Sequence, residues 1–184
     1  AETAVVEGPA MLRKLAVARV EIRATRYDFA TGKLGILRSA RIRVHHEGRA
    51  PILAPEALDN RDFAAVYGNH VLNYTLPDGG VPEVPLSMLV VVEEALQDAI
   101  QPLVDWKIQR GMKVTVRTLE EIGTATEDVQ AAITEAYEDW DLPVAHVLLV
   151  GDNVPFYRGD YDQCASDYMF TTLEGDDLLP DVMI

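Results

Sequence analysis

Three short apolar runs, Leu86–Val92, Lys113–Val116 and Val144–Val150, alternate with two amphipathic stretches. No other feature restricts the fold as much. A solid run of branched apolar residues marks a strand buried on both faces, the habit of parallel sheets. Between the runs, Glu93–Gly111 sets Leu96, Ile100, Leu103, Val104, Trp106 and Ile108 at helical spacing, with Gly111 as its stop. Pro102 inside that stretch predicts a kink or a late first turn. Thr126–Trp140 repeats the pattern, with Val129, Ile133, Ala136 and Tyr137 facing inward. Strand, helix, strand, helix, strand requires parallel strands with right-handed crossovers. The predicted fold class is α/β, a parallel sheet with flanking helices. The third run ends in Val150-Gly151-Asp152, so Asp152 sits at the carboxyl edge, where open α/β sheets bind ligands. Thr118–Glu121 reads as a short turn, Tyr168-Met169-Phe170 as a short strand, and Trp106 and Trp140 as core.

The first third of the chain has a different rhythm. Leu15–Tyr27 and Leu34–His45 both approach apolar/basic alternation, with Ala30-Thr31-Gly32-Lys33 as a turn between them. They are expected to pair as one antiparallel hairpin, which needs further strands to be stable. Glu47–Asn60 reads as a linker. Arg61–Tyr74 has helical spacing at Phe63, Val66, Tyr67 and Val71, weakened by Gly68. Leu76–Pro85 holds Pro77, Pro82, Pro85 and Gly79-Gly80, the clearest boundary. The expected organisation is a β-rich antiparallel segment over 1–75, a linker over 76–85 and an α/β unit over 86–184.

Charge divides at nearly the same place. Residues 1–50 carry ten Lys/Arg and five Asp/Glu, a net +5, while 51–184 carry six and twenty-five, a net −19. Two units of opposite sign attract each other. The acidic unit would repel phosphates, so no nucleic-acid partner is expected. No run is long and apolar enough to span a bilayer, and the opening A-E-T-A-V-V-E is not a signal peptide. The single cysteine, Cys164, excludes an internal disulfide and leaves the compartment open.

Four histidines, Cys164 and the carboxylates are the candidates for chemistry. A nucleophilic Cys needs a His brought close in space, and nothing in the spacing pairs Cys164 with one. His45 and His46 are neighbours on an expected strand and point to opposite faces. His70 falls in the expected helix, and His146 opens a buried strand. Asp152 either caps the turn that follows or binds a ligand. Acidic residues gather near the other end, at Asp167, Glu174, Asp176, Asp177 and Asp181. Asp177 and Asp181 stand four apart with main-chain carbonyls between them. Hard cations such as Ca²⁺ take such mixed oxygen ligands, although the spacing is not an EF-hand loop.

The second unit resembles the gingipain-type cysteine peptidases through P-L-V-D-W-K-I-Q-R-G-M-K-V (Pro102–Val114), H-V-L-L-V-G-D (His146–Asp152) and S-D-Y-M-F-T-T-L-E-G-D-D-L-L-P-D-V-M-I (Ser166–Ile184). The segment around Tyr27–Lys33 resembles the later part of the β-rich prodomain preceding that family's catalytic domain. The resemblance implies the N-terminal subdomain of a caspase-like fold, secreted or at the cell surface. It places the His–Cys dyad in a second subdomain with no counterpart here, so this piece is expected to be inactive alone. Its expected partners are the remainder of its own polypeptide and, through the second subdomain, protein substrates. It also implies a structural calcium site using the carboxylates of Asp152, Asp177 and Asp181 and the carbonyls of Glu174 and Leu179, with Asp181 replacing a Glu found in some members. Two other readings are a family member without peptidase activity, serving assembly or adhesion, and a phosphate-binding or phospho-acceptor α/β domain using Asp152. The latter lacks a glycine-rich phosphate loop after its first strand.

Overall fold

A computed structural model describes residues 3–45, 61–75, 84–152, 157–158, 165–175 and 177–184. Strands β1 to β4 span Ala4–Leu12, Leu15–Ile22, Thr25–Asp28 and Lys33–Ile36. Helix α1 follows at Arg61–His70, and then β5 at Ser87–Val92. Helix α2 spans Gln97–Gln109, β6 Lys113–Thr118, α3 Leu119–Ile122, α4 Thr126–Glu138 and β7 His146–Val150. Two-residue strands β8 (Tyr157–Arg158) and β9 (Ala165–Ser166) pair antiparallel.

The second unit is the α/β layer arrangement that the apolar runs predict. Strands β6, β5 and β7 lie side by side in that order, and both pairings are parallel. Every residue of the central strand β5 is buried. Alternate side chains go to opposite faces of the sheet. Leu89 and Val91 join Val129, Ile133, Ala136 and Tyr137 of α4, together with Phe170 and Val182. Met88, Val90 and Val92 join Val104 of α2 and the half-buried Ile100. The sheet is therefore covered on both sides. The segment after Asp181 adds to the outer edge of β7: Met183 donates its N–H to Ala145 and accepts that of Val147.

Local signals set the boundaries. Thr118 Oγ1 accepts the Glu121 N–H, and the Glu121 carboxylate accepts that of Thr118. This capping box turns the expected short turn into the one-turn helix α3. Helix α2 carries Pro102 in its interior, after a single 3₁₀ turn at Glu94–Leu96. Of its apolar residues only Val104 is buried; Leu103, Trp106 and Ile108 are exposed. Trp106 is thus not core as expected. It stacks with Lys107 and Arg110 on the surface, whereas Trp140 packs half-buried against the α4 cluster. Tyr168–Thr171 is a 3₁₀ turn rather than a strand, and it drives Phe170 into the core.

The N-terminal pairing also differs from expectation. One hairpin between Leu15–Tyr27 and Leu34–His45 does not form. Instead β2 pairs back with β1, whose strand the sequence did not announce, and only Thr25–Asp28 pairs with Lys33–Ile36. The break at Arg23-Ala24 divides one alternating run between two hairpins, and Leu37–His45 is not a strand. Helix α1 is shorter than Arg61–Tyr74 and buries Phe63 and Tyr67 as the spacing requires. The linker expected over Glu47–Asn60 lies outside the described residues, as does most of the boundary over Leu76–Pro85.

Candidate functional site

The acidic segment and the β1–β2 turn meet at one place. The turn is Leu12-Arg13-Lys14-Leu15, and Arg13 adopts φ 52°. Its guanidinium enters the α/β unit. Nη1 donates to the carbonyls of Val144 at 2.9 Å and Asp181 at 2.8 Å, and Nη2 reaches the Pro143 carbonyl at 3.4 Å. Its carbon lies 4.8 Å from the Phe63 ring centre and 5.2 Å from that of Tyr137. Arg13 is 5% exposed. Burial pulls its pKa below the usual value, opposed by the charges of the neighbouring Asp181 and Glu174 carboxylates among others.

Its neighbours in the turn hold the acidic segment too. The Met11 N–H donates to Asp177 Oδ2 at 2.6 Å, and Lys14 pairs with Glu174 and lies over the Tyr137 ring. Gly175 makes this approach feasible. Its φ is +79°, and a Cβ there would fall 2.7 Å from Asp177 Oδ2.

Asp181 is fully buried. Its Oδ2 accepts the N–H groups of Leu173 and Glu174, both at 2.7 Å, and its own N–H donates to Thr171. Burial raises its carboxyl pKa, while those two N–H donors act in the opposite direction. Asp177 Oδ1 accepts the Leu179 N–H at 2.7 Å. Four buried polar atoms around Arg13, the hydroxyls of Tyr67 and Tyr137, Glu174 Oε2 and Asp181 Oδ1, lack a well-formed hydrogen bond among the described residues.

The other expected residues are placed elsewhere. Asp152 lies just past β7, exposed, at the carboxyl edge. Asp181 is tied to the Arg13 that also holds Val144, before the amino end of the same strand. Strands rise about 3.3 Å per residue, so the length of β7 separates Asp152 from Asp181. Among the described residues no three His, Cys, Asp or Glu side chains converge as a metal cluster. His146 Nε2 lies 2.9 Å from Asp62 Oδ2, a stitch between β7 and α1. His45 and His70 are exposed. His46, Cys164 and Asp176 lie outside the described residues. Arg13 was not anticipated. Its only sequence signal is a pair of basic residues set between Leu12 and Leu15 in an otherwise apolar turn.

The pattern that defines peptidase family C25 matches residues 82–184, which include the whole parallel sheet and the acidic segment. The chain belongs to peptidase family C25. Among curated relatives, Lys-gingipain of Porphyromonas gingivalis is 25% identical over 93% of this chain, and gingipain R2 of the same species is 29% identical over 53%. The chain spans 11% of the length of the former and 14% of the latter. Among solved structures, the Arg-specific cysteine proteinase gingipain R superposes with a TM-score of 0.50 at 29% identity, over 59% of this chain and 25% of that one. A structure described as a protease superposes with a TM-score of 0.51 at 27% identity, over 64% and 25%. As a family C25 member the chain has the caspase-like α/β fold of these neighbours, preceded by antiparallel β-hairpins.

Proposed function

We propose that the chain forms part of a gingipain-type cysteine endopeptidase and supplies its N-terminal, non-catalytic α/β subdomain over residues 86–184. Residues 1–75 are then the end of a β-rich prodomain, and 76–85 the linker. The observation that carries this reading is the family match over the whole β6-β5-β7 sheet. In such a peptidase a thiolate attacks the scissile carbonyl and a His serves as acid and base. Among the described residues, His45 and His70 are exposed, and His146 is engaged by Asp62 at the amino end of β7. By kinship with the gingipains we assign the dyad to a second subdomain, which would also bind protein substrates and dock against this one. Secretion or surface attachment follows from the same kinship. Among the described residues no helix is long and apolar enough to cross a membrane.

The test is incubation of the chain with peptide substrates and a thiol-directed probe. No turnover is expected. Turnover that disappears in Cys164→Ala would overturn the assignment.

A structural calcium ion is part of the proposal, held within Glu174–Asp181. What supports it is the donor set, with the Asp177 and Asp181 carboxylates and the Glu174 and Leu179 carbonyls within eight residues of chain, and Asp181 Oδ1 buried and without a hydrogen-bond partner among the described residues. Mixed ligands of this kind suit Ca²⁺, whose charge would offset the repulsion of clustered carboxylates. Asp152 does not fit, because it stands at the opposite end of β7. Calcium at a hundredfold excess over its Kd would add about 2.7 kcal/mol of stability, read as a rise in Tm. Asp152→Asn should keep that rise and Asp177→Asn should lose it. An unchanged Tm in the parent chain would remove the metal from the proposal.

A further inference from the structure

We propose that the α/β unit and helix α1 together form a guanidinium socket, filled in cis by Arg13, and that this one side chain determines how the β1–β2 hairpin docks. The socket is made from groups of four segments: α1, α4, the loop before β7 and the stretch at Asp181. Main-chain carbonyls of Pro143, Val144 and Asp181 form its floor. The rings of Phe63 from α1 and Tyr137 from α4 form its walls.

Its chemistry selects arginine. A planar fork can direct N–H groups from two nitrogens at three separate carbonyls while its carbon lies over two aromatic rings, whereas a lysine ammonium is a compact point charge with three donors on one nitrogen. A buried charge is costly unless it is hydrogen-bonded, and here the fork reaches three main-chain carbonyls. The apolar contacts of the hairpin are less selective. Leu12 with half-buried Leu15 and Val17 meets Phe63, Tyr67, Leu179 and Met183 in a small cluster. Such a cluster accepts many side chains of similar size. The guanidinium bonds have direction, so they fix the turn relative to the sheet. Met11 and Lys14 are then brought to Asp177 and Glu174. The backbone supports this reading. Arg13 is the only non-glycine residue among those described with a positive φ, at 52°. Such a conformation in a long side chain persists where surrounding contacts hold it.

The experiment uses Arg13→Gly in the full chain. Glycine accepts the positive φ, so the turn is retained and the socket is emptied. Amide exchange is read at Met11, whose N–H reaches Asp177, and at Leu89 and Val91 of β5. Charged hydrogen bonds of this kind are worth enough that Met11 exchange should rise about tenfold or more, with Leu89 and Val91 unchanged. Millimolar propylguanidinium should restore Met11 protection, and propylammonium should not. Arg13→Lys, which keeps the charge and the fold, should exchange faster than the parent at Met11. The proposal is overturned if Met11 protection survives in Arg13→Gly, if propylammonium restores it as well as propylguanidinium does, or if Arg13→Lys matches the parent.

Discussion

The two halves of this chain hold their strands by different means. The β6-β5-β7 sheet is sandwiched between α2 and α4, and its central strand is buried along its whole length. Among the described residues the β3–β4 hairpin has no such cover. Tyr27, Leu34 and Ile36 are at least half exposed, and Phe29 is 90% exposed. Between these extremes stands β1–β2, with Val6 and Ile22 in solvent but its turn locked into the α/β unit through Arg13. A covered sheet is stabilised by apolar burial spread over many residues. A two-stranded ribbon cannot bury enough by itself, so its attachment depends on a few directed contacts.

The contrast predicts its own largest effect. Ile133→Ala should cost about 3 kcal/mol in urea unfolding, because a fully buried branched side chain leaves a cavity. Ile36→Ala, at a position 66% exposed, should fall within about 0.5 kcal/mol of the parent. Equal costs at the two sites would break the comparison.

A smaller effect asks how much of the α/β unit's stability comes from its loops. Thr118→Ala removes one half of the capping box ahead of α3 and should cost about 1 kcal/mol. Amide exchange at Met11 should not follow, since the cap makes no contact with the β1–β2 turn. A matching increase there would show the two halves to be one cooperative unit.

The smallest effect is electrostatic. Arg117 holds Glu135 in a two-pronged pair at 3.0 and 2.8 Å, which lowers the Glu135 pKa and raises that of Arg117. A depressed carboxyl pKa contributes stability above the unfolded carboxylate range, and that contribution is lost as pH falls through the folded value. Both partners are partly exposed, so the contribution is about 0.5 kcal/mol. Glu135→Gln should therefore be slightly less stable than the parent at pH 7 and indistinguishable from it near pH 3. A difference that grew in acid would reverse the sign assigned here.

Where burial decides, the residues announce it. The run Leu86–Val92, the helical spacing of Val129, Ile133, Ala136 and Tyr137, and the phase of Phe63 and Tyr67 all correspond to buried positions. Where pairing partners decide, they do not. The alternating stretch from Leu15 to Tyr27 suits a strand facing either way, and only the fold shows that it divides at Arg23-Ala24 between two partners. Leu103, Trp106 and Ile108 have apolar character without a partner to bury it. The acidic residues show the same limit: Asp177 and Asp181 are four apart in sequence, yet Asp177 holds the Met11 N–H of the β1–β2 hairpin while Asp181 holds those of Leu173 and Glu174.

Composition and spacing alone determined that residues 86–184 form a parallel sheet covered by helices, because solid apolar runs separated by amphipathic helices can bury themselves in few other ways. Only the tertiary structure decided that Arg13 is the joint of the molecule. A guanidinium finds its value in acceptors more than a hundred residues away, and no local pattern records where three main-chain carbonyls and two aromatic rings will come together.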